Sequence, residues 1–259
     1  MFQDIRYILK AVINMDEILH ANHDPIRRTT HTSRRAPREK GRNPYDGLRL
    51  WSALTHGFGA LLSIIGTVLL LLRTHALGGT VWHYATFALY GASMIVLYTA
   101  STLYHSVKTG IKGRIALRKW DHLSIYLLIA GTYTPICLNP LRGPWGWALF
   151  GVIWALTAAG IVMTFFWINS PRWVTAGIYI FMGWLAIIAV YPLTRTLPAP
   201  GMFWLLAGGV VYTIGGVLYA LKWPGRNNPR FGCHEIFHVF IVLGSVCHYL
   251  LMYHAVAIA

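Results

Sequence analysis

The chain has 259 residues, 56% of them hydrophobic and only 12% charged, with a mean hydropathy of +0.50. Soluble domains carry about a quarter charged residues, so this composition excludes an ordinary soluble globule and predicts one integral membrane bundle. The net charge of +14 does not point to nucleic acid as a partner. The positive residues gather in the N-terminal tail and in particular loops, as topology signals do.

Residues 1–50 are different material from the rest. Phe2, Ile5, Ile8, Leu9, Val12 and Ile13 recur at helical spacing and predict a short amphipathic helix suited to a membrane surface. Asp4, Arg6 and Lys10 interrupt any apolar core there, which excludes a signal peptide. The basic run Arg27, Arg28, Arg34, Arg35, Arg38, Lys40 and Arg42 reads as a disordered cytosolic tail, attractive to anionic headgroups.

Residues 51–259 read as an all-α domain, a bundle of seven transmembrane helices. The apolar segments run over approximately 52–72, 81–105, 121–138, 145–168, 173–191, 202–221 and 234–256. Most approach the ~20 residues that a helix needs to cross a bilayer; the third needs its polar first turn to do so. Breaks such as Gly78-Gly79, Asn139-Pro140, Ser170-Pro171 and Pro224 to Pro229 separate them. Pro135 lies inside the third segment and predicts a kink there. Trp51, Trp82, Trp120, Trp145, Trp147 and Trp173 sit at segment ends as an aromatic belt.

Of the 22 Lys and Arg residues, all but Arg73, Arg142 and Arg195 fall in the tail and in alternate loops. The positive-inside rule then predicts a cytosolic N-terminus and an external C-terminus. Three cysteines, Cys137, Cys233 and Cys247, argue by their odd count against a disulfide framework. Cys233 adjoins His234 but reads best as a small buried apolar residue.

Beyond Asp46 the only acidic residues are Asp121 and Glu235. The predicted topology brings Ser101 and His105, at the end of the second helix, to the cytosolic layer. Asp121 and His122, at the start of the third, reach the same layer, as do His234, Glu235 and His238 at the start of the seventh. His234 and His238 lie four apart on one helical face, the spacing of two imidazole ligands of zinc. With His105 they make three ligands and leave a fourth position for water, the pattern of a catalytic site, where zinc brings the water's pKa towards neutrality. Asp121 is the candidate acceptor or general base for that water. Ser101, one turn before His105, suits an outer-shell or substrate contact. His56 reaches the same layer or serves near the helix start; His122 points about 100° away from Asp121. His75, His83 and His254 fall at the outer surface, where solvation explains them, and His248 lies deeper as a polar packing contact.

At these residues the chain resembles the hemolysin III family, the bacterial branch of the progestin and adipoQ receptor superfamily. The segments that carry the resemblance are Ser52-Ala53-Leu54-Thr55-His56-Gly57, Ser101-Thr102-Leu103-Tyr104-His105-Ser106, Asp121-His122, Ile129-Ala130-Gly131-Thr132-Tyr133-Thr134-Pro135 and His234-Glu235-Ile236-Phe237-His238. It spans about residues 45–256. It implies seven helices in a bacterial inner membrane, zinc on His105, His234 and His238 at the cytosolic layer, and Asp121 beside the zinc-bound water. Animal relatives resemble ceramide-type lipid amidases, which implies hydrolysis of a membrane-lipid amide and a part in membrane homeostasis. Two other functions compete: a non-enzymatic sensor of membrane state with structural zinc, and an intramembrane metalloprotease. The second is suggested because His234-Glu235-Ile236-Phe237-His238 fits H-E-x-x-H, but no acid follows Glu235 to complete that pattern. A pore-forming toxin fits the constitutive bundle least.

Overall fold

The computed structural model describes residues 48–226, 228 and 231–258; the predicted amphipathic helix and basic tail lie outside them. Among the described residues the chain is helical, with no strand. The helices are α1 (Leu50–Ala76), α2 (Val81–Ser106), α3 (Ile111–Leu138), α4 (Pro144–Phe166), α5 (Arg172–Trp184), α6 (Val190–Thr196), α7 (Ala199–Leu221) and α8 (Cys233–His254). A 3-10 turn, Leu185–Ala189, joins α5 to α6, so these eight helices make seven helical segments of the bundle.

Contacts between helix ends set the direction of each pass. The Arg49 N–H donates to the His105 carbonyl at 3.0 Å, pinning the start of α1 to the end of α2. Arg49 also pairs with Glu235 at the start of α8. Lys119 in α3 donates to the Phe165 carbonyl at the end of α4, and Arg172, opening α5, lies over Tyr219 near the end of α7. At the opposite layer, Arg73 near the end of α1 donates to the Tyr253 carbonyl near the end of α8. Successive passes therefore run up and down between two layers.

The distribution of side chains is that of a protein in lipid. On α1, Ser52, His56, Gly59 and Ser63 face inward, while Leu54, Phe58, Leu61, Ile65 and Leu69 face out. Small and polar residues between helices permit close packing where lipid supplies no hydrophobic drive. A β-carbon on Gly59 would stand 2.7 Å from the Tyr98 ring, so the absence of a side chain is what lets α1 and α2 approach.

Six spans among the described residues are long and apolar enough to cross a bilayer, and α3 is not among them. Residues 130 to 138 of α3 are buried on every face, so it lies within the bundle and has less need of an apolar coat. It also begins at Ile111, ahead of the predicted 121. Its basic first turns are anchored by Arg114, whose guanidinium donates to the Tyr104 carbonyl and stacks over the Tyr104 ring at 4.3 Å. The helix continues through Pro135, which supplies no N–H to the carbonyl of Gly131.

The fifth predicted segment is not one helix. Pro192 lacks an N–H for the Ile188 carbonyl and its ring crowds that oxygen, which disfavours α-helix through 188–192. The break is filled by Tyr133 of α3. Its hydroxyl lies 3.0 Å from the Met182 carbonyl and 2.7 Å from that of Gly183, and accepts the Ala186 N–H at 2.8 Å.

Candidate metal centre

The starts of α1, α3 and α8 and the end of α2 meet at one layer, and there the polar residues converge. His105 on α2 and His234 and His238 on α8 bring one ring nitrogen each to within 4.8 Å of one another. The Nε2 atoms of His105 and His234 stand 3.2 Å apart. Nitrogens about 2.0–2.1 Å from a tetrahedral zinc would be about 3.3 Å apart, so this pair already has the spacing of two ligands of one ion. The Nδ1 of His238 faces the Ser52 carbonyl at 3.3 Å, which leaves Nε2 directed at the other two imidazoles. An outer hydrogen bond of that kind fixes tautomer and ring orientation in metal-binding histidines. The donor set, three imidazoles without a thiolate, suits zinc or a similar divalent ion. Cys233 is buried and free and stands outside the group.

Asp121 on α3 lies beside Ser101 and His105. Its Oδ2 is 3.3 Å from the Nδ1 of His122. The Ser101 hydroxyl is buried beside Asp121, the acceptor nearest to it in this group. His122 stays outside the group, as its place on the helix predicts.

Glu235 is turned away from the three imidazoles. One oxygen accepts from Arg49 Nη1 at 3.0 Å and from Ser52 Oγ at 3.1 Å; the other accepts the Gly232 N–H at 2.9 Å and caps α8. A carboxylate so occupied is no free base, and this speaks against the H-E-x-x-H metalloprotease arrangement. Arg49 and Ser52 thus hold the site together from α1, Ser52 through its hydroxyl to Glu235 and its carbonyl to His238. Ser52 was named from sequence only within the segments of the resemblance and Arg49 not at all, although a nearly acid-free chain with one buried glutamate calls for a cationic partner.

His56 also belongs to this layer. Its ring stacks on His238 with centroids 3.7 Å apart and planes 14° from parallel, and both its nitrogens are buried without partners. His83, expected at the solvated surface, is buried instead and forms a capping box with Thr80. His248 makes the expected packing contact, its Nε2 3.4 Å from the Leu205 carbonyl.

The imidazoles open onto a cavity of about 970 Å³ that runs between α2, α3, α5, α7 and α8. Near the imidazoles it carries Ser101 and Asp121; further in, its wall is Leu97, Ile129, Ile136, Leu205 and other apolar side chains. Asp121 is the one carboxylate on that wall among the described residues.

The family model for "Haemolysin-III related" proteins matches residues 49–249. The chain belongs to that family. It is 41% identical over 194 residues to the hemolysin-3 homolog of Bacillus subtilis (strain 168), covering 75% of this chain and 87% of that one. With the monocyte to macrophage differentiation factor of Homo sapiens it shares 27% over 203 residues, 75% of this chain and 79% of the relative. A shorter match, 32% over 84 residues (28% of this chain, 26% of the other), links it to the ADIPOR-like receptor IZH2 of Saccharomyces cerevisiae (strain ATCC 204508 / S288c). These relatives join the haemolysin III family to the progestin and adipoQ receptor superfamily. The membership and the apolar passes together make this a multi-pass membrane protein.

Proposed function

We propose that this chain is a zinc-dependent hydrolase with seven transmembrane passes, its histidine layer on the cytosolic side of the bacterial inner membrane. It acts there on an amide-linked, ceramide-like membrane lipid as part of membrane homeostasis. The observation that carries the reading is one cavity with three converging imidazoles and a lone carboxylate at one end and apolar walls beyond. Such a cavity suits a substrate that is a hydrocarbon chain with a hydrolysable link at its polar end.

His105, His234 and His238 would hold the ion, which supplies Lewis acidity towards a carbonyl and towards water. The remaining work falls to the chain itself. The apolar wall binds the acyl chain and fixes its carbonyl near the imidazoles, so that most of the orientational cost is met on binding. Asp121 accepts a proton from the attacking water and returns it to the leaving amine, so that the C–N bond breaks as the C–O bond forms. Ser101 donates its hydroxyl to Asp121 or to the substrate. The test is release of fatty acid from an N-acyl sphingoid lipid by metal-loaded protein in nanodiscs. Asp121→Asn should lower the rate by about 10²–10⁴-fold with metal content unchanged. Turnover indifferent to Asp121 would end the proposal.

The name of the yeast relative, an ADIPOR-like receptor, favours a second reading in which the same site is structural and the protein senses membrane state. That reading expects full metal content and no turnover of any acylated lipid.

A further inference from the structure

A second, smaller cavity of about 210 Å³ adjoins the first where His234, Arg49, Arg172 and Lys222 line both. Arg49, Arg172, Lys222 and Arg226 bring four cationic groups to it, and among the described residues no acidic residue lines it. Among the described residues only Arg49 has a carboxylate partner, Glu235, and a guanidinium has further N–H donors to spare. Arg172 lies with its Cζ 4.8 Å from the centre of the Tyr219 ring, a stacking that steadies the fork while its edge stays open for hydrogen bonds. The first turn of α8, at Cys233 and His234, adds the positive end of a helix dipole.

The positive-inside rule accounts for cations in these loops. It does not account for their meeting around one polar cavity where only Arg49 has a carboxylate beside it, Glu235. Nor does it explain Lys222, which ends α7 in the left-handed conformation with φ 55°. Glycine is the residue that adopts this conformation without steric cost, yet here the chain places an ammonium group.

We infer that this cavity is a binding site for the phosphate group of a membrane lipid whose hydrocarbon chain enters the adjoining large cavity. Its volume is roughly seven times a water molecule's share of the liquid, room for a phosphate group and some of its hydration. Guanidinium forks match phosphate oxygens in pairs, and lysine adds a point charge. A lipid held so has its headgroup beside His234 and its chain along the apolar wall. The site stands on charge, shape and position, and requires no hydrolysis.

The test is direct binding to the purified, metal-loaded full chain in neutral detergent, followed by calorimetry and thermal unfolding. The probes are dioctanoyl phosphatidic acid, dioctanoylglycerol with the same chains and no phosphate, and inorganic phosphate. The expected order is phosphatidic acid tightest, with both others weaker by roughly ten-fold or more. Arg226→Gln should weaken phosphatidic acid binding and leave metal content unchanged. Lys222→Gly should do the same while raising the unfolding temperature of the unliganded protein, because glycine relieves the left-handed backbone. That pairing of weaker binding with greater stability is one that mere misfolding does not produce. Equal binding of phosphatidic acid and dioctanoylglycerol, or no loss in either variant, would overturn the site. Inorganic phosphate binding as tightly as the lipid, with the same sensitivity to both variants, would overturn the lipid as its source.

Discussion

The two layers of this bundle hold the same residue types and put them to different use. At the layer of α2's end, His105 and His234 turn nitrogens towards each other at 3.2 Å, with His238 close by. At the opposite layer, His83 is engaged with the Thr80 N–H and hydroxyl, and His75 lies 3.2 Å from the Tyr84 hydroxyl. The cations divide in the same way. Arg73 donates to the Tyr253 carbonyl and covers its ring, and Arg142 lies over Trp82, each closing one end of the bundle by packing. Arg49 and Arg172 instead line cavities. Spacing along a helix makes convergence available; whether it becomes a site depends on what the neighbouring helices offer the other ring nitrogen.

The comparison breaks most directly at the metal. Purified wild-type protein should carry about one divalent ion per chain, and His234→Ala should lose it, because two imidazoles bind far more weakly than three. Chelation of the wild type should lower the unfolding temperature, as a folded state that alone binds the ion is stabilised by it. His75→Ala should leave both quantities unchanged. Metal analysis with thermal unfolding in detergent decides it; equal metal content in wild type and His234→Ala would erase the difference between the layers.

Glu235 comes next. Removal of one partner from a fully buried ion pair costs roughly 3–5 kcal/mol. The Arg49 side chain is 35% exposed and can hydrate once released. About 2 kcal/mol is expected for Glu235→Ala, mostly from the stranded Ser52 hydroxyl and Gly232 N–H. Glu235→Gln should cost about half as much, and both variants should keep the metal. Loss of the metal in Glu235→Gln would make the carboxylate part of the metal site, whereas metal retained with turnover abolished would restore Glu235 as a base and with it the protease pattern.

Much of this was legible beforehand, for identifiable reasons. Apolar stretches broken by Gly and Pro mark passes, and His234 with His238 marks a face. The alternation of Lys and Arg was enough to send His105 and Asp121 to the same layer as that face. What escaped were interactions that no local pattern announces. Arg49 and Glu235 are 186 positions apart, and Arg49 read as one more topology charge. Pro192 sits just beyond the predicted end of its segment, so its effect on the turns before it went unseen. Tyr133 in an apolar segment reads as core, and only the fold shows its hydroxyl inside another helix's break.

Tyr133 gives a smaller test on the cavity wall away from the imidazoles. Tyr133→Phe keeps the ring and removes the hydroxyl, leaving the Ala186 N–H and one carbonyl of the break without their bridge. Each lost hydrogen bond contributes about 1 kcal/mol, so about 1–2 kcal/mol is expected, with metal content unchanged. Thermal unfolding of the purified variant measures it. A loss near zero would mean that water enters the cavity and bonds the break as well as the hydroxyl does.

The least effect belongs to the far layer. His83→Ala removes half of the capping box at the start of α2, and caps are worth about 1 kcal/mol. Thr80 keeps its hydroxyl on the first turn, so the loss should fall below that figure and nothing should change in metal binding. The value of this variant is its silence. His83 is as buried as Asp121, each at 8%, so if burial of an ionisable group were itself the mark of function, both substitutions would disturb the site. A stability loss confined to His83→Ala, against altered turnover with intact stability in Asp121→Asn, separates a histidine that ends a helix from an acid that serves a cavity.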